Sequence, residues 1–143
     1  MRWLQRAHDN GEPLALSEQL RYMLAWPDFY PYPDFTRKVA ELMPRDPAVA
    51  IFYRAQGDLQ QAWYALNPER ARQDLQTLVK QGMVQALLPL GELYENGYLG
   101  EADMDKAVAY YTRAAEAGLA RGDESLASLF ARGRGIARDP IRA

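Results

Sequence analysis

Two runs of sequence decide the fold: LGELYENG at residues 90–97 and KAVAYYTRAAEAG at residues 106–118. In these runs small Ala and Gly residues stand where two helices would touch, and Leu and Tyr recur beside them at helical spacing. A loop that contains Gly97 and Gly100 separates the two runs, and Gly118 ends the second one. The pattern predicts an antiparallel helical hairpin, which needs stacked neighbours to bury its apolar faces.

The hairpin recurs along the chain with a period of 36 residues. A shift by one period places Gly82 on Gly118 and Gly97 on Gly133. The same shift aligns bulky residues of similar size, namely Leu75 with Tyr111, Leu90 with Leu126, Leu93 with Leu129 and Tyr94 with Phe130. A shift of 71 residues, about twice the period, extends the pattern to residues 1–15.

These periods predict an all-α fold, a right-handed α-solenoid of about three to four antiparallel helical hairpins. We expect a single domain over residues 1–143, with regular repeats at about 67–143 and degenerate repeats at about 1–66. Both ends fall inside a repeat, so the natural polypeptide is expected to be a longer repeat array. Apolar faces left uncovered at the two ends make self-association an expected property.

Proline and capping residues predict where the individual helices begin and end. We expect Asp46 and Asp103 to cap the helices that follow them, with Pro47 in a first helical turn. Three prolines between Trp26 and Asp34 exclude a helix there, because each removes a donor and restricts the residue before it. The expected helices span about residues 14–25, 35–43, 47–57, 58–66, 69–81, 84–96, 103–117 and 120–132.

Composition narrows the classes of function. The net charge is −2 and the isoelectric point about 5.4, which gives no electrostatic reason to expect a nucleic acid as partner. The chain has no cysteine, so disulfides and thiolate chemistry are excluded. No run of sequence approaches the roughly 18 to 20 apolar residues of a membrane span.

Two groups of aromatic residues and one group of arginines are candidates for contact with a partner. The four aromatic residues of the stretch 26–32 either pack against their own repeat or form a binding surface. Tyr110 and Tyr111 adjoin on one helix, so only one of them can face the core. The arginines near residue 135 form a cationic edge suited to an acidic partner or a uronate polymer. The candidate residues are Trp26, Tyr30, Tyr32, Tyr110, Tyr111, Arg132, Arg134 and Arg138.

The sequence shows no catalytic, cofactor-binding or metal-binding constellation. His8 is the only histidine, and no nucleophile or carboxylate partner is indicated for it. Glu101, Asp103 and Asp105 lack the glycine and the terminal glutamate of a calcium loop. The turn at residues 133–135 lacks the strand and the lysine of a phosphate-binding loop. We therefore expect a protein that is not an enzyme and carries no cofactor.

The repeats resemble a known family. The pattern LGxLYxxG at residues 90–97, its copy LAxLFxxGxGI at residues 126–136, and the run KAxxYYxxAAxxG between them are similar to Sel1-like repeats, relatives of the tetratricopeptide repeat. The match covers about half of the chain well. The resemblance implies an α-solenoid that binds other proteins, and it says little about which ones.

A narrower resemblance is to the alginate-biosynthesis scaffolds of pseudomonads. It rests on AxxxGE at residues 7–12, the Trp/Tyr/Pro break at 26–33, IFYRAQG at 51–57 and GYLG at 97–100. It implies a periplasmic, outer-membrane-associated scaffold whose partners are an outer-membrane alginate porin and an alginate-modifying, acetyltransferase-like protein. This chain departs from that pattern, because it has no lipid-attachment cysteine, is far shorter and lacks several repeats between Gly57 and Asn67.

Two other functions stay open on the sequence. The first is a cytoplasmic regulatory adaptor of the same fold, which an export signal upstream in the gene would exclude. The second is an enzyme, since some Sel1-like proteins have been linked to β-lactam hydrolysis. Those proteins are rich in disulfides, and this chain has no cysteine.

Overall fold

The computed structural model describes residues 13–132, which contain seven α-helices, two 3-10 turns and no strand. The helices are α1 (Pro13–Ala25), α2 (Tyr32–Leu42), α3 (Pro47–Asp58), α4 (Pro68–Lys80), α5 (Leu87–Glu95), α6 (Met104–Glu116) and α7 (Ala120–Arg132). The 3-10 turns are Gln61–Trp63 and Val84–Ala86. The predicted all-α fold class is confirmed. Among the helices of the described part, none is both long and apolar enough to cross a membrane.

The chain divides into two compact units, the first ending at Asp74 and the second beginning at Leu75. The boundary falls inside α4, so the first turns of this helix belong to the first unit and its last turns to the second. A single continuous domain over residues 1–143 stays a prediction.

The first unit is built on mutual packing of α1, α2 and α3. Its core consists of Leu16, Leu20, Met23, Phe35, Val39, Leu42 and Ala50. The Phe35 ring lies against α3 at Gly57, where an added Cβ would stand 2.4 Å from the ring atom Cε2. A glycine at this point therefore lets the aromatic side chain of one helix reach the backbone of the next.

Two ion pairs connect α3 to the first turns of α4 in antiparallel order. Asp58 at the end of α3 is fully buried and accepts two hydrogen bonds from the Arg70 guanidinium, at 2.8 Å from Nε and 2.6 Å from Nη2. One turn earlier on α3, Arg54 donates to Asp74 at 2.9 Å. The charge-assisted, bidentate bond to Asp58 offsets the desolvation of its carboxylate.

The second unit contains an antiparallel array of α5, α6 and α7. Tyr111 of α6 is buried against Gly91 of α5, and its hydroxyl donates to the Glu95 carboxylate at 2.8 Å. Gly122 of α7 lies against the backbone of α6, where a Cβ would stand 2.5 Å from the amide nitrogen of Ala115. Small residues at the helix contacts, expected from the sequence, therefore allow the close approach of these helices.

The 36-residue period of the sequence appears in the backbone at two helix ends. Gly82 and Gly118 have positive φ angles of 97° and 92°, a conformation that glycine adopts without steric cost. The Gly82 amide donates to the Val79 carbonyl, as Gly118 does to Ala115. Gly118 and Ala115 stand 36 positions after Gly82 and Val79, so the two glycines occupy equivalent helix ends, here called equivalent corners.

Both predicted aspartate caps are confirmed. The Asp46 side chain accepts a hydrogen bond from the Val49 amide at 3.3 Å, and Asp103 accepts one from the Lys106 amide at 3.1 Å. These bonds satisfy amide donors that the first turn of a helix leaves free. Pro47 lies in the first turn of α3, as expected.

The structure corrects two of the expected helices. Helix α2 begins at Tyr32 rather than Phe35, because Pro33 occupies a first-turn position where a proline costs no hydrogen bond. Residues 58–66 do not form a separate helix. Asp58 ends α3, only the 3-10 turn Gln61–Trp63 follows, and Tyr64 then takes a left-handed conformation with φ of 54°.

Candidate functional site: an aromatic loop and the groove beside it

Residues 26–31 form the loop between α1 and α2, here called the aromatic loop. Its first residue, Trp26, extends the helical hydrogen-bonding pattern by donating its amide to the Tyr22 carbonyl at 3.0 Å. The Phe29 amide then donates to the Trp26 carbonyl at 3.0 Å, which closes a turn. Pro27 and Pro31 prevent continuation of the helix, so the sequence places a short, rigid turn at this point.

The indole of Trp63 holds the aromatic loop in place. Its Nε1 donates to the carbonyl oxygens of Pro27 at 3.2 Å and of Tyr30 at 2.8 Å. Gln60 adds a third bond, from Nε2 to the carbonyl of Leu24 at 3.0 Å. Side chains from the segment after α3 thus bond two carbonyls of the loop and one in the last turn of α1.

Two aromatic rings project from this fixed loop into solvent. Phe29 is 76% exposed and Trp26 is 58% exposed, and their centroids lie 6.3 Å apart in an edge-to-face arrangement. Tyr22 and Tyr30 beside them are also exposed. Large aromatic side chains grouped on a surface are typical of protein–protein contact sites.

Beneath the aromatic loop, the rings of Tyr32, Phe35 and Trp63 form a packed cluster. The Trp63 ring lies 4.7 Å from the Phe35 centroid and 5.6 Å from that of Tyr32. Phe35 is buried, while Tyr32 and Trp63 are half-buried. The structure therefore separates the predicted aromatic residues, since Trp26 and Tyr30 lie on the exposed loop and Tyr32 lies in the supporting cluster.

A groove of about 530 Å³ adjoins this cluster within the first unit, here called the α2 groove. One wall is α2 and the residue after it, and the opposite rim carries Arg54 of α3 and Arg70 of α4. The apolar lining consists of Tyr32, Phe35, Val39, Ala40 and Met43. The hydrogen bonds that Arg70 donates to the Asp58 carboxylate raise the pKa of Arg70 further above its ordinary value, so its guanidinium is a permanent cation.

The two tyrosines predicted on α6 have different environments. Tyr111 is 1% exposed and belongs to the core, so its side chain is not at a surface. Tyr110 is half-buried and stacks on Tyr94, with centroids 5.8 Å apart and rings 8° from parallel. Cations cover both rings, since Lys106 lies 5.0 Å from the Tyr94 centroid and Arg113 lies 5.9 Å from that of Tyr110.

The predicted cationic edge lies outside what the structure describes. Arg134 and Arg138 fall beyond residue 132, and the Arg132 side chain is likewise outside the described part. Within residues 13–132, no three His, Cys, Asp or Glu side chains are grouped so that they could hold a metal ion.

Sequence reasoning missed three residues of the candidate site. Trp63 stands in a stretch interpreted as a short helix, and its bonds join positions more than 30 residues apart. Arg54 and Arg70 stand on different helices and meet at one groove. The only signal in the sequence was the Trp/Tyr/Pro break at residues 26–33, which marks the aromatic loop but not its support.

The comparisons with known proteins each concern only part of the chain. The Sel1 repeat model matches residues 84–119 and 125–143. Alginate biosynthesis protein AlgK of Pseudomonas syringae pv. tomato is 43% identical over 54 residues, and AlgK of Azotobacter vinelandii is 46% identical over 54 residues. Each alignment covers 38% of this chain and only 12% of the relative. The resemblance expected from the sequence is thereby confirmed over part of the chain, since residues 84–119 and 125–143 match the Sel1 repeat.

Proposed function

We propose that this protein is a non-catalytic scaffold that binds other proteins through the aromatic loop. The observation that carries the proposal is the pair of exposed rings, Phe29 and Trp26, on a loop that Trp63 holds in one conformation. The Sel1 repeats support it, because solenoid repeats supply extended surfaces to partners rather than reacting groups.

Preorganisation explains why such a loop suits binding. Ordering a flexible side chain at an interface costs about 0.5–1.5 kcal/mol. Phe29 and Trp26 have two rotatable side-chain bonds each, and the backbone that carries them is already fixed by the indole bonds. Most of the free energy from burying the two rings in a partner is therefore available for affinity.

The names of the relatives support a process for the proposed scaffold. Both are alginate biosynthesis proteins, so we place this chain in the assembly of an alginate or related exopolysaccharide modification and export complex. The proposed location is the periplasm, at the outer membrane. The proposed partners are those that the sequence resemblance implied, an outer-membrane alginate porin and an alginate-modifying, acetyltransferase-like protein.

Direct binding to these two proteins tests the proposal. The purified chain would be immobilised and titrated with each protein, using the wild type, a Trp26→Ser/Phe29→Ser double variant and a Tyr64→Ser control. Tyr64 is 93% exposed and lies outside the loop, so its loss removes an exposed ring without touching the site. We expect the double variant to bind at least about 10-fold more weakly and the control to bind normally.

Two outcomes would contradict the proposal in different ways. Equal binding by the wild type and the double variant would show that the aromatic loop does not bind these partners. If the wild type binds neither protein, the proposed role in an alginate complex is contradicted.

A further inference from the structure

We infer that the α2 groove binds a peptide segment of a partner protein in which an apolar side chain stands beside a carboxylate. The inference rests on the proposed scaffold function, since it takes the partner to be a protein. The groove is a separate surface from the aromatic loop.

The floor of the groove is apolar. Phe35 and Val39 are buried in the core below it, while Met43 is half-buried and Ala40 is exposed along its wall. A volume of about 530 Å³ lies within the range typical of ligand sites, so the groove has room for a large apolar side chain. Removing such a side chain from water is the main favourable contribution that this lining can make.

At the rim of the groove, the positively charged side chains are more exposed than the negatively charged ones. Arg54 and Arg70 side chains are 32% and 41% exposed, whereas their carboxylate partners Asp74 and Asp58 are 20% and 0% exposed. The arginine side chains are therefore more exposed than the aspartate side chains that neutralise them. Charge complementarity favours an anionic group at this rim.

Both guanidinium groups also have donors to spare. Arg54 Nε is buried and has no hydrogen-bond partner in the described part of the chain. The bonds of Arg70 to Asp58 use Nε and Nη2, and none of them uses Nη1. The Nη1 donors of Arg70 are therefore left for an acceptor oxygen of a ligand. A carboxylate, with two acceptor oxygens, suits a groove that two arginines line.

The lining favours a peptide over a polysaccharide. A uronate chain also carries carboxylates, but its ring hydroxyl groups would lose their water against Phe35, Val39 and Met43 without gaining partners. A peptide can place one apolar side chain on this floor and keep its polar atoms at the rim.

Matched probes test this chemistry. Acetyl-Asp-Leu-Phe-Asp-amide would be titrated into isotopically labelled protein and followed by NMR, beside acetyl-Asn-Leu-Phe-Asn-amide, acetyl-Asp-Ser-Gly-Asp-amide and a uronate tetrasaccharide. We expect the first peptide to shift amide signals of residues 32, 34–43 and 54. The peptides that lack the carboxylates or the apolar pair should bind at least about 10-fold more weakly. Equal binding of the three peptides, tighter binding of the tetrasaccharide, or no shift at these amides would overturn the inference.

A pair of alanine variants gives the structural control. Ala40→Glu places a bulky anion at an exposed position of the groove wall, whereas Ala109→Glu makes the same change at an exposed position of α6. We expect Ala40→Glu to weaken peptide binding at least about 10-fold and Ala109→Glu to leave it unchanged. Equal effects of the two changes would overturn the inference.

The two proposals fail in distinguishable ways. If the peptide does not bind while the Trp26→Ser/Phe29→Ser variant still loses the partner proteins, the groove inference alone is overturned. If the peptide binds with the predicted selectivity and the wild type binds neither partner protein, the groove inference is supported. The proposed role in an alginate complex is then contradicted.

Discussion

The Tyr111 ring lies so close to Gly91 that a Cβ added to the glycine would stand 2.4 Å from the ring atom Cε1. The ring cannot move aside, because it is buried and its hydroxyl is bonded to Glu95. We therefore predict that Gly91→Ala lowers the free energy of unfolding by about 1–3 kcal/mol, in spite of alanine's higher helix propensity. Urea denaturation followed by circular dichroism measures the change.

A double-mutant cycle separates this contact from other effects of the alanine. Leucine occupies the equivalent position 36 residues earlier, at Leu75, so Tyr111→Leu is a natural background. The cost of Gly91→Ala should be smaller there, with a coupling of at least about 0.5 kcal/mol. An unchanged cost would show that the ring is not the obstacle.

The equivalent corners at Gly82 and Gly118 give a matched pair of predictions. Neither glycine has an atom within 4 Å of an added Cβ, so a substitution there meets only the penalty of the backbone conformation. We expect Gly82→Ala and Gly118→Ala to cost about 1–2 kcal/mol each, and the two asparagine variants to cost less. Thermal denaturation of the four variants checks this. Costs for the two alanine variants that differ by more than about 1 kcal/mol would contradict equivalence of the corners.

The Asp58–Arg70 pair should respond strongly to loss of its exposed member. Arg70→Met leaves the buried Asp58 carboxylate without its partner. We expect a loss of about 2–3 kcal/mol, below the value for a fully buried pair because Arg70 is 41% exposed. Arg37→Met is the control, because Arg37 and Asp34 form an exposed pair, and such pairs are typically worth less than about 1 kcal/mol. Equal losses in chemical denaturation would show that burial of Asp58 is not decisive.

Removal of the indole donor should loosen the aromatic loop. Trp63→Phe keeps an aromatic ring beside Phe35 but deletes the bonds to Pro27 and Tyr30. We expect a stability loss of about 1–2 kcal/mol and faster amide hydrogen exchange at residues 28–30. Trp26→Phe, at an exposed position, should change neither quantity. Unchanged exchange in Trp63→Phe would show that other contacts fix the loop.

Local signals in the sequence were sufficient for much of the helical architecture. Asp46 and Asp103 cap helices through bonds that span three residues, which sequence spacing reports directly. Gly82 and Gly118 mark helix ends through a backbone conformation that depends on the residue itself. The start of α2 at Tyr32 does not follow from local signals, because a proline such as Pro33 is equally compatible with a loop and with the first turn of a helix.

The candidate site depends on contacts that local signals do not contain. Trp63 binds carbonyls 33 and 36 residues earlier in the chain. The partner of Arg70 is a buried aspartate, although aspartate is a residue type that sequence reasoning assigns to the surface. The α2 groove needs the packing of α2 beside the ends of α3 and α4, and no single stretch of sequence encodes that arrangement.

The exposed position of Tyr64 in a left-handed turn has a practical consequence. The residue has φ of 54° and is 93% exposed, and the chain has no cysteine. Tyr64→Cys would therefore create a unique thiol for attaching a fluorophore without competing reactions. Residue 64 directly follows Trp63, whose indole bonds the aromatic loop. A dye at this thiol would therefore report on the binding of a partner to the loop by a change in its emission.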